Sequence, residues 1–245
     1  MTNIILQHWN GNLPQWAKLA KKSVEQYADR IGCKYELVTG HPLGKKLGPN
    51  PQKLVYITEK YDQYDKVLML DMDVMATNVF ENAFERPEIG VLHDRAMKGT
   101  SRTPGSAPDL YKLGVPVFFG NYIMTTKEQR IAMREFADWD WLATKVVDSY
   151  SGDELVLSWL LDQADILKGM SYEDMCMRCS GTTYKNIYFR NQNRYDRKFA
   201  NLPFEYDESN KADSNASLLH FGQHRKSRIP EYTKRYFGEI FNAGI

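Results

Sequence analysis

The segment "VLMLDMDVMA", residues 67–76, sets two aspartates, Asp71 and Asp73, directly behind four apolar residues. A short apolar run of this kind reads as a buried strand. In open α/β sheets ligands collect beyond the carboxyl ends of strands, where this pair would sit. Residues i and i+2 of an extended segment share a face, so both carboxylates would reach one ion while Met72 points away. Paired carboxylate oxygens are hard ligands suited to Mg²⁺ or Mn²⁺. The plainer alternative is two solvated acids that open a loop or cap a short helix over "NVFENAF".

Working outward, the preceding chain reads as strand, helix, strand. "NIILQ" is a short apolar run, and from Pro14 onward Trp16, Leu19/Ala20, Ser23/Val24, Tyr27 and Ile31 recur at helical spacing. Pro14 suits a first helical turn and Gly32 a helix stop. "CKYELVT" alternates as a strand, a turn-rich loop "GHPLGKKLGPNP" follows, and Lys53 to Tyr61 reads as a helix before the strand "KVLML". Beyond Asp73, "IGVLHD" and "VPVFFGNYIMTT" read as strands, "KEQRIAMREFADWDWLATKVV" as one amphipathic helix, and a further helix begins near Ser151. Strands alternating with helices predict an α/β fold with a mainly parallel sheet flanked by helices. The stretch from Asp94 to Gly114 lacks apolar periodicity and reads as a long loop, either a lid over substrate or a surface insertion.

The composition narrows the classes. The chain has 245 residues, 42% hydrophobic and 26% charged, enough for one α/β domain with a real core. Lys and Arg total 32 against 31 Asp and Glu, a formal charge of +1 that gives no support for nucleic-acid binding. No transmembrane run and no signal-peptide pattern is evident, and three cysteines form no disulfide framework, so a cytoplasmic setting is expected. Cys176 and Cys179 have metal-like spacing, but no second pair or histidine partner accompanies them, which argues against zinc.

Two enzyme classes write an apolar strand followed by D-x-D. In haloacid-dehalogenase-like phosphatases the first aspartate is a nucleophile and the second an acid/base. In GT-A glycosyltransferases the pair holds a metal on a nucleoside-diphosphate sugar. The phosphatase motif usually occupies the first strand, whereas two strands and two helices are expected before this one. Motifs further along also bear on the choice. "QKLVYITEKYDQYDKVLMLDMDV", "FFGNYIM", "GDELVLSWL", "LPFEYD" and "LLHFGQHRK" follow one another in the order of corresponding motifs in GT-A glycosyltransferases. The chain most closely resembles the glycosyltransferase family 8 and glycogenin-like group. It departs from that pattern at Glu154, where the group has Gln, at Gly120-Asn121-Tyr122, and after Lys226, where no Pro-Trp follows.

The resemblance implies one GT-A, Rossmann-like domain over residues 1–245. Residues 1–78 would form a nucleotide-binding half ending in D-x-D, 79–230 an acceptor and donor-sugar half, and 231–245 a tail. It implies that Asp71, Asp73 and His220 hold Mn²⁺ or Mg²⁺, and that Lys226 adds positive charge to the diphosphate. His8, Trp9 and Asn10 would meet the base of the nucleotide. Lys53, Met72, Glu154 and Gly222, together with Asp71, complete the implied donor contacts. Asp153 and Asn121 are the catalytic candidates near the anomeric carbon. Asp153 and Glu154 equally fit a plain capping box with Ser151 in a first helical turn. The implied reaction moves a sugar, from UDP by preference, to a hydroxyl on a glycan, lipid or protein, with retention of configuration. In an inverting variant Asp153 would be the general base. A D-x-D phosphatase and a non-catalytic sugar-nucleotide-binding relative are the competing readings.

Overall fold

The computed structural model describes residues 2–78, 81–85, 89–93, 110, 117–146, 152–168, 199–201, 217–221 and 223–238. The loop from Asp94 to Gly114 (Leu110 apart), the Cys176–Cys179 pair, Ser151 and Gly222 lie outside these residues.

A five-stranded sheet forms the centre, in the order β2-β1-β3-β6-β5. Its strands are β1 (Asn3–Trp9), β2 (Lys34–Thr39), β3 (Lys66–Leu70), β5 (Ile89–His93) and β6 (Val117–Thr126). β1 runs parallel to β2 and β3, while β6 is antiparallel to both β3 and β5. Four strands therefore share one direction and β6 alone opposes them, so the expected mainly parallel sheet is present. A second sheet of three strands, β4-β8-β7, is built from β4 (Val74–Ala76), β7 (Phe199–Asn201) and β8 (Leu218–His220).

The central strands are apolar at consecutive positions because both faces are covered. On one face Ile4, Leu6, Val67, Met69, Phe118 and Ile123 pack with Leu54 and Tyr56 and with Leu157 and Leu160. On the other, Ile5, Leu68, Leu70, Tyr122 and Met124 meet Val24, Tyr27 and Ala28 of α1 (Gln15–Arg30). The period-2 alternation along β1 and β3 sends successive side chains to these two clusters. Helix α1 starts at Pro14 as its cap and stops before Gly32, whose φ of +68° supplies the left-handed turn that glycine adopts without steric cost. Ser23 ties α1 to the small sheet: its Oγ accepts from Ala76 N at 3.0 Å and donates to Ala20 O at 2.7 Å.

Three local expectations are corrected. The segment from Lys53 to Tyr61 is not an α-helix but two 3-10 segments, Asn50–Ile57 and Glu59–Tyr61, separated by extended Thr58. The single helix expected from Lys127 is two helices, α2 (Lys127–Arg134) and α3 (Trp139–Val146). Thr126 and Gln129 form a capping box at the first, and Asp138 Oδ1 accepts from Trp141 N at 3.0 Å to start the second. An internal N-cap outcompetes the continuous apolar spacing. Finally, Asp71 and Asp73 do not extend β3. Val74 N donates to Asp71 O at 3.0 Å, so a turn carries the pair between β3 and β4.

Helix α4 (Gly152–Gln163) lies across β6, and Phe118 N donates to Ser158 Oγ at 3.3 Å. A 3-10 segment, Gln223–Arg228, leads into α5 (Ile229–Phe237). There Ile229 and Tyr232 join Leu19 and Ala20 of α1 in a third apolar cluster with Phe221. Among the described residues no helix is long and apolar enough to cross a membrane.

Candidate metal and diphosphate site

The turn after β3 is fixed from below by an amide. Gln7 is fully buried in β1, and its Nε2 donates to Asp71 O at 3.0 Å, while its Oε1 accepts from Tyr35 Oη at 2.9 Å. From the side, Asp71 N donates to Asn121 O of β6 at 3.1 Å. His220 arrives at the same place through the small sheet, where it pairs with Val74 across β4 and β8, and Phe221 N donates to Asp73 O at 2.9 Å. One ligand atom each of Asp71, Asp73 and His220 lie within 4.8 Å of one another. His220 Nε2 is 3.3 Å from Asp73 Oδ1.

Two lysines serve these carboxylates. Lys53 Nζ is 2.5 Å from Asp71 Oδ1, 2.7 Å from Asp153 Oδ2 and 3.0 Å from Gly120 O, so each ammonium hydrogen has an acceptor. Lys226 Nζ is 3.0 Å from Asp73 Oδ2 and sits 5.2 Å from the centre of the Trp16 ring, a cation–π contact. The balance of desolvation and ion pairing shifts the two aspartates in opposite directions. Desolvation raises the Asp71 carboxyl above its ordinary pKa; Lys53 counters this, while Asp73 and Asp153 add to it. Asp73 is desolvated as well, yet His220 and then Lys226 hold its carboxyl well below the usual range. For Lys53 burial works against the charge, but Asp153 and Asp71 together keep the ammonium well above its ordinary value.

Asp153 and Glu154 stand in the first turn of α4, as expected, where the helix dipole favours acids. Asp153 is 5% exposed and faces Lys53. Glu154 Oε1 lies 3.5 Å from Gly120 N, at the outer limit of a hydrogen bond. Gly120 makes the arrangement sterically feasible. A Cβ there would fall 2.0 Å from Asp153 Oδ2 and 2.6 Å from Lys53 Nζ, so only glycine lets the ion pair lie against the strand.

No family model matches the sequence, and no curated protein matches it significantly. Among solved structures, it is similar to a glycosyltransferase involved in glycosylation of the major capsid of PBCV-1. That match has 15% identity and a TM-score of 0.44, over 95% of this chain and 99% of that one. An active-site mutant of LgtC matches at 13% identity and a TM-score of 0.49, over 96% of each chain. The galactosyltransferase LgtC in complex with donor and acceptor sugar analogs matches at 14% identity and a TM-score of 0.44, again over 96% of each.

The other expected residues take varied places. His8 Nε2–H donates to Gly40 O at 2.9 Å, and desolvation lowers its pKa, with Lys53 close enough to add to that. Trp9 packs edge-on against Trp16 with ring centres 5.5 Å apart, and its Nε1 donates to Asn12 O at 3.1 Å. Asn10 is exposed and donates to His41 Nε2 at 2.9 Å. Met72 is buried at 5% exposure. Asn121 lies beside His220, with Nδ2 3.0 Å from the imidazole Nδ1.

Gln7, Tyr35, Trp16 and Gly120 support the site without being among its expected residues. For Gln7 the signal was an amide within an otherwise apolar strand, "NIILQ". For Gly120 it was a glycine inside a strand, which often marks the close approach of another group. Nothing local to Tyr35 or Trp16 pointed to the site.

Proposed function

We propose that this chain is a GT-A glycosyltransferase that uses a divalent metal, Mn²⁺ or Mg²⁺, to transfer a sugar from a UDP-sugar to a hydroxyl acceptor with retention. The observation that carries the reading is the gathering of Asp71, Asp73 and His220 donor atoms within 4.8 Å of one another at the end of β3. The donor set fits such an ion: two carboxylates and one imidazole suit Mn²⁺-type sites. The surrounding charge fits too. Among the described residues the three acids Asp71, Asp73 and Asp153 pair with two cations, Lys53 and Lys226, so a divalent ion would offset charge that the lysines leave.

Asp71, Asp73 and His220 would hold the ion, which supplies neutralisation of the charge that grows on a departing diphosphate. Lys226, whose side chain is 39% exposed, is free to swing from Asp73 to a phosphate oxygen once the carboxylate is otherwise occupied. Trp16 flanks its ammonium and limits the directions it can take. Trp9, at the end of β1, offers a partly exposed indole, packed on the Trp16 ring that Lys226 covers, for a nucleobase. Lys53 keeps Asp153 and Asp71 in fixed relation, so the donor sugar would meet a carboxylate whose position is set before binding. Asp153 is the group assigned to the donor sugar near its anomeric carbon.

The test is release of UDP from a panel of UDP-sugars by the purified 245-residue chain, with Mn²⁺ and with EDTA. Metal-dependent release, lost by at least ~10²-fold in Asp73→Asn, is the expected result. Turnover of a phosphomonoester through an acylphosphate on Asp71, with no UDP release, would replace this reading with the phosphatase one.

A further inference from the structure

The two ring nitrogens of His220 face different partners. Nε2 points to Asp73 Oδ1 at 3.3 Å, and Nδ1 lies 3.0 Å from Asn121 Nδ2. A neutral imidazole has one N–H and one lone pair, and which nitrogen carries which is set by the partner of the other. For His220 to offer Nε2 to an ion shared with the aspartates, its proton must reside on Nδ1, and Nδ1–H then needs an acceptor.

Asn121 is the side chain in place to provide it. It is 3% exposed on β6, and its backbone oxygen accepts from Asp71 N at 3.1 Å, so one residue touches both the aspartate turn and the histidine. Its carboxamide has a donor end and an acceptor end of nearly equal size. With nitrogen toward Nδ1 it supports the tautomer that donates from Nε2 to Asp73. With oxygen toward Nδ1 it accepts Nδ1–H and turns the Nε2 lone pair toward the carboxylates. Partners of this kind orient histidine ligands and strengthen them.

We propose that Asn121 is a positioning residue of the metal site, which selects the His220 tautomer by the end of its amide that it presents to Nδ1. The inference rests on the metal reading of Asp71, Asp73 and His220, and it gives Asn121 a task separate from contact with a donor sugar.

The test is Mn²⁺ binding to the 245-residue chain without nucleotide, followed by electron paramagnetic resonance. Wild type is compared with His220→Ala, Asn121→Ala and Asn121→Asp, and thermal melts check that each variant folds. Asn121→Ala is expected to weaken Mn²⁺ about tenfold, and His220→Ala to weaken it as well. Asn121→Asp, which can only accept, is expected to retain affinity. Long-range ¹H–¹⁵N spectra with diamagnetic Mg²⁺ should place the His220 proton on Nδ1 in wild type and in Asn121→Asp. Asn121→Ala binding within twofold of wild type while His220→Ala binds weakly overturns the proposal and leaves the metal reading standing. Wild-type affinity in His220→Ala as well overturns both. If Asn121→Ala does not fold, the Asn121→Asp spectrum decides: a proton on Nε2 with Mg²⁺ present overturns the proposal.

Discussion

The Lys53 ammonium lies 2.7 Å from Asp153 Oδ2, joining the 3-10 segment that precedes β3 to the first turn of α4. The same ammonium reaches Asp71, so one cation binds carboxylates delivered by two elements on opposite sides of β6 in the sequence. Removing the cation of this cluster leaves two buried carboxylates uncompensated, whereas losing Asp71 alone would leave Lys53 paired with Asp153. Lys53→Met is expected to cost about 3–5 kcal/mol, read from urea denaturation. In Lys53→Met/Asp153→Asn the loss should be smaller than the sum of the single losses, because the two residues act on each other.

Gly120 is the seat on which that ion pair rests. Gly120→Ala would set a Cβ 2.0 Å from Asp153 Oδ2, and either the carboxylate or the strand must move. Overpacking of this kind costs about 1–3 kcal/mol. Urea denaturation should show that loss, and UDP release should fall more steeply than Mn²⁺ affinity, since the displaced groups are Asp153 and Lys53 rather than Asp73 and His220.

Asp71 and Asp73 carry opposite shifts, so their amides should move stability in opposite directions when metal is absent. The Asp71 carboxyl is raised, so its ionised form is disfavoured in the fold; that penalty grows as pH rises from the unfolded value through the folded one and is complete above it. The Asp73 carboxyl is lowered, so its stabilisation is present above the unfolded value, about 3.9, and is lost as pH falls through the folded one. In EDTA at pH 7, Asp71→Asn should raise the melting temperature and Asp73→Asn lower it, each by about 2–4 °C per kcal/mol. The Asp71→Asn difference should disappear on acidification below the ordinary carboxylate range. Equal signs for the two variants at pH 7 would contradict the assignment.

Lys226 occupies Asp73 from the solvent side, 3.0 Å from Oδ2. In the absence of nucleotide it competes with any cation for that oxygen. Lys226→Met should therefore bind Mn²⁺ alone at least as tightly as wild type, while its affinity for UDP in the presence of Mn²⁺ falls about tenfold, near the 1.4 kcal/mol of one charge-assisted contact. Titration calorimetry at two salt concentrations checks both, and the UDP difference should shrink at higher salt.

Much of this arrangement was legible in the chain before folding was considered. β1, α1, β2, β3 and β6 announce themselves through apolar periodicity and turn residues, because each pattern is complete within a window of a few residues. The Asp71–Asp73 pair was visible as two acids behind an apolar strand, and His220 entered through the "LLHFGQHRK" segment; the fold brings all three together. What spacing misjudged was how the pair is presented: a turn held by Gln7 and Asn121, not an extension of the strand, aims both carboxylates to one side.

The sequence by itself determined which residue types are available and where the strands of the central sheet lie along the chain, since burial on both faces of that sheet forces apolar residues at successive positions. The tertiary structure alone decided partnership. That Lys53 binds Asp153 across Gly120, that Lys226 serves Asp73, and that Asn121 faces the His220 ring all depend on how α4, β6 and β8 pack around the end of β3. Such distances join residues far apart along the chain, and no local pattern encodes them, because they are fixed by the summed packing of both faces of the sheet.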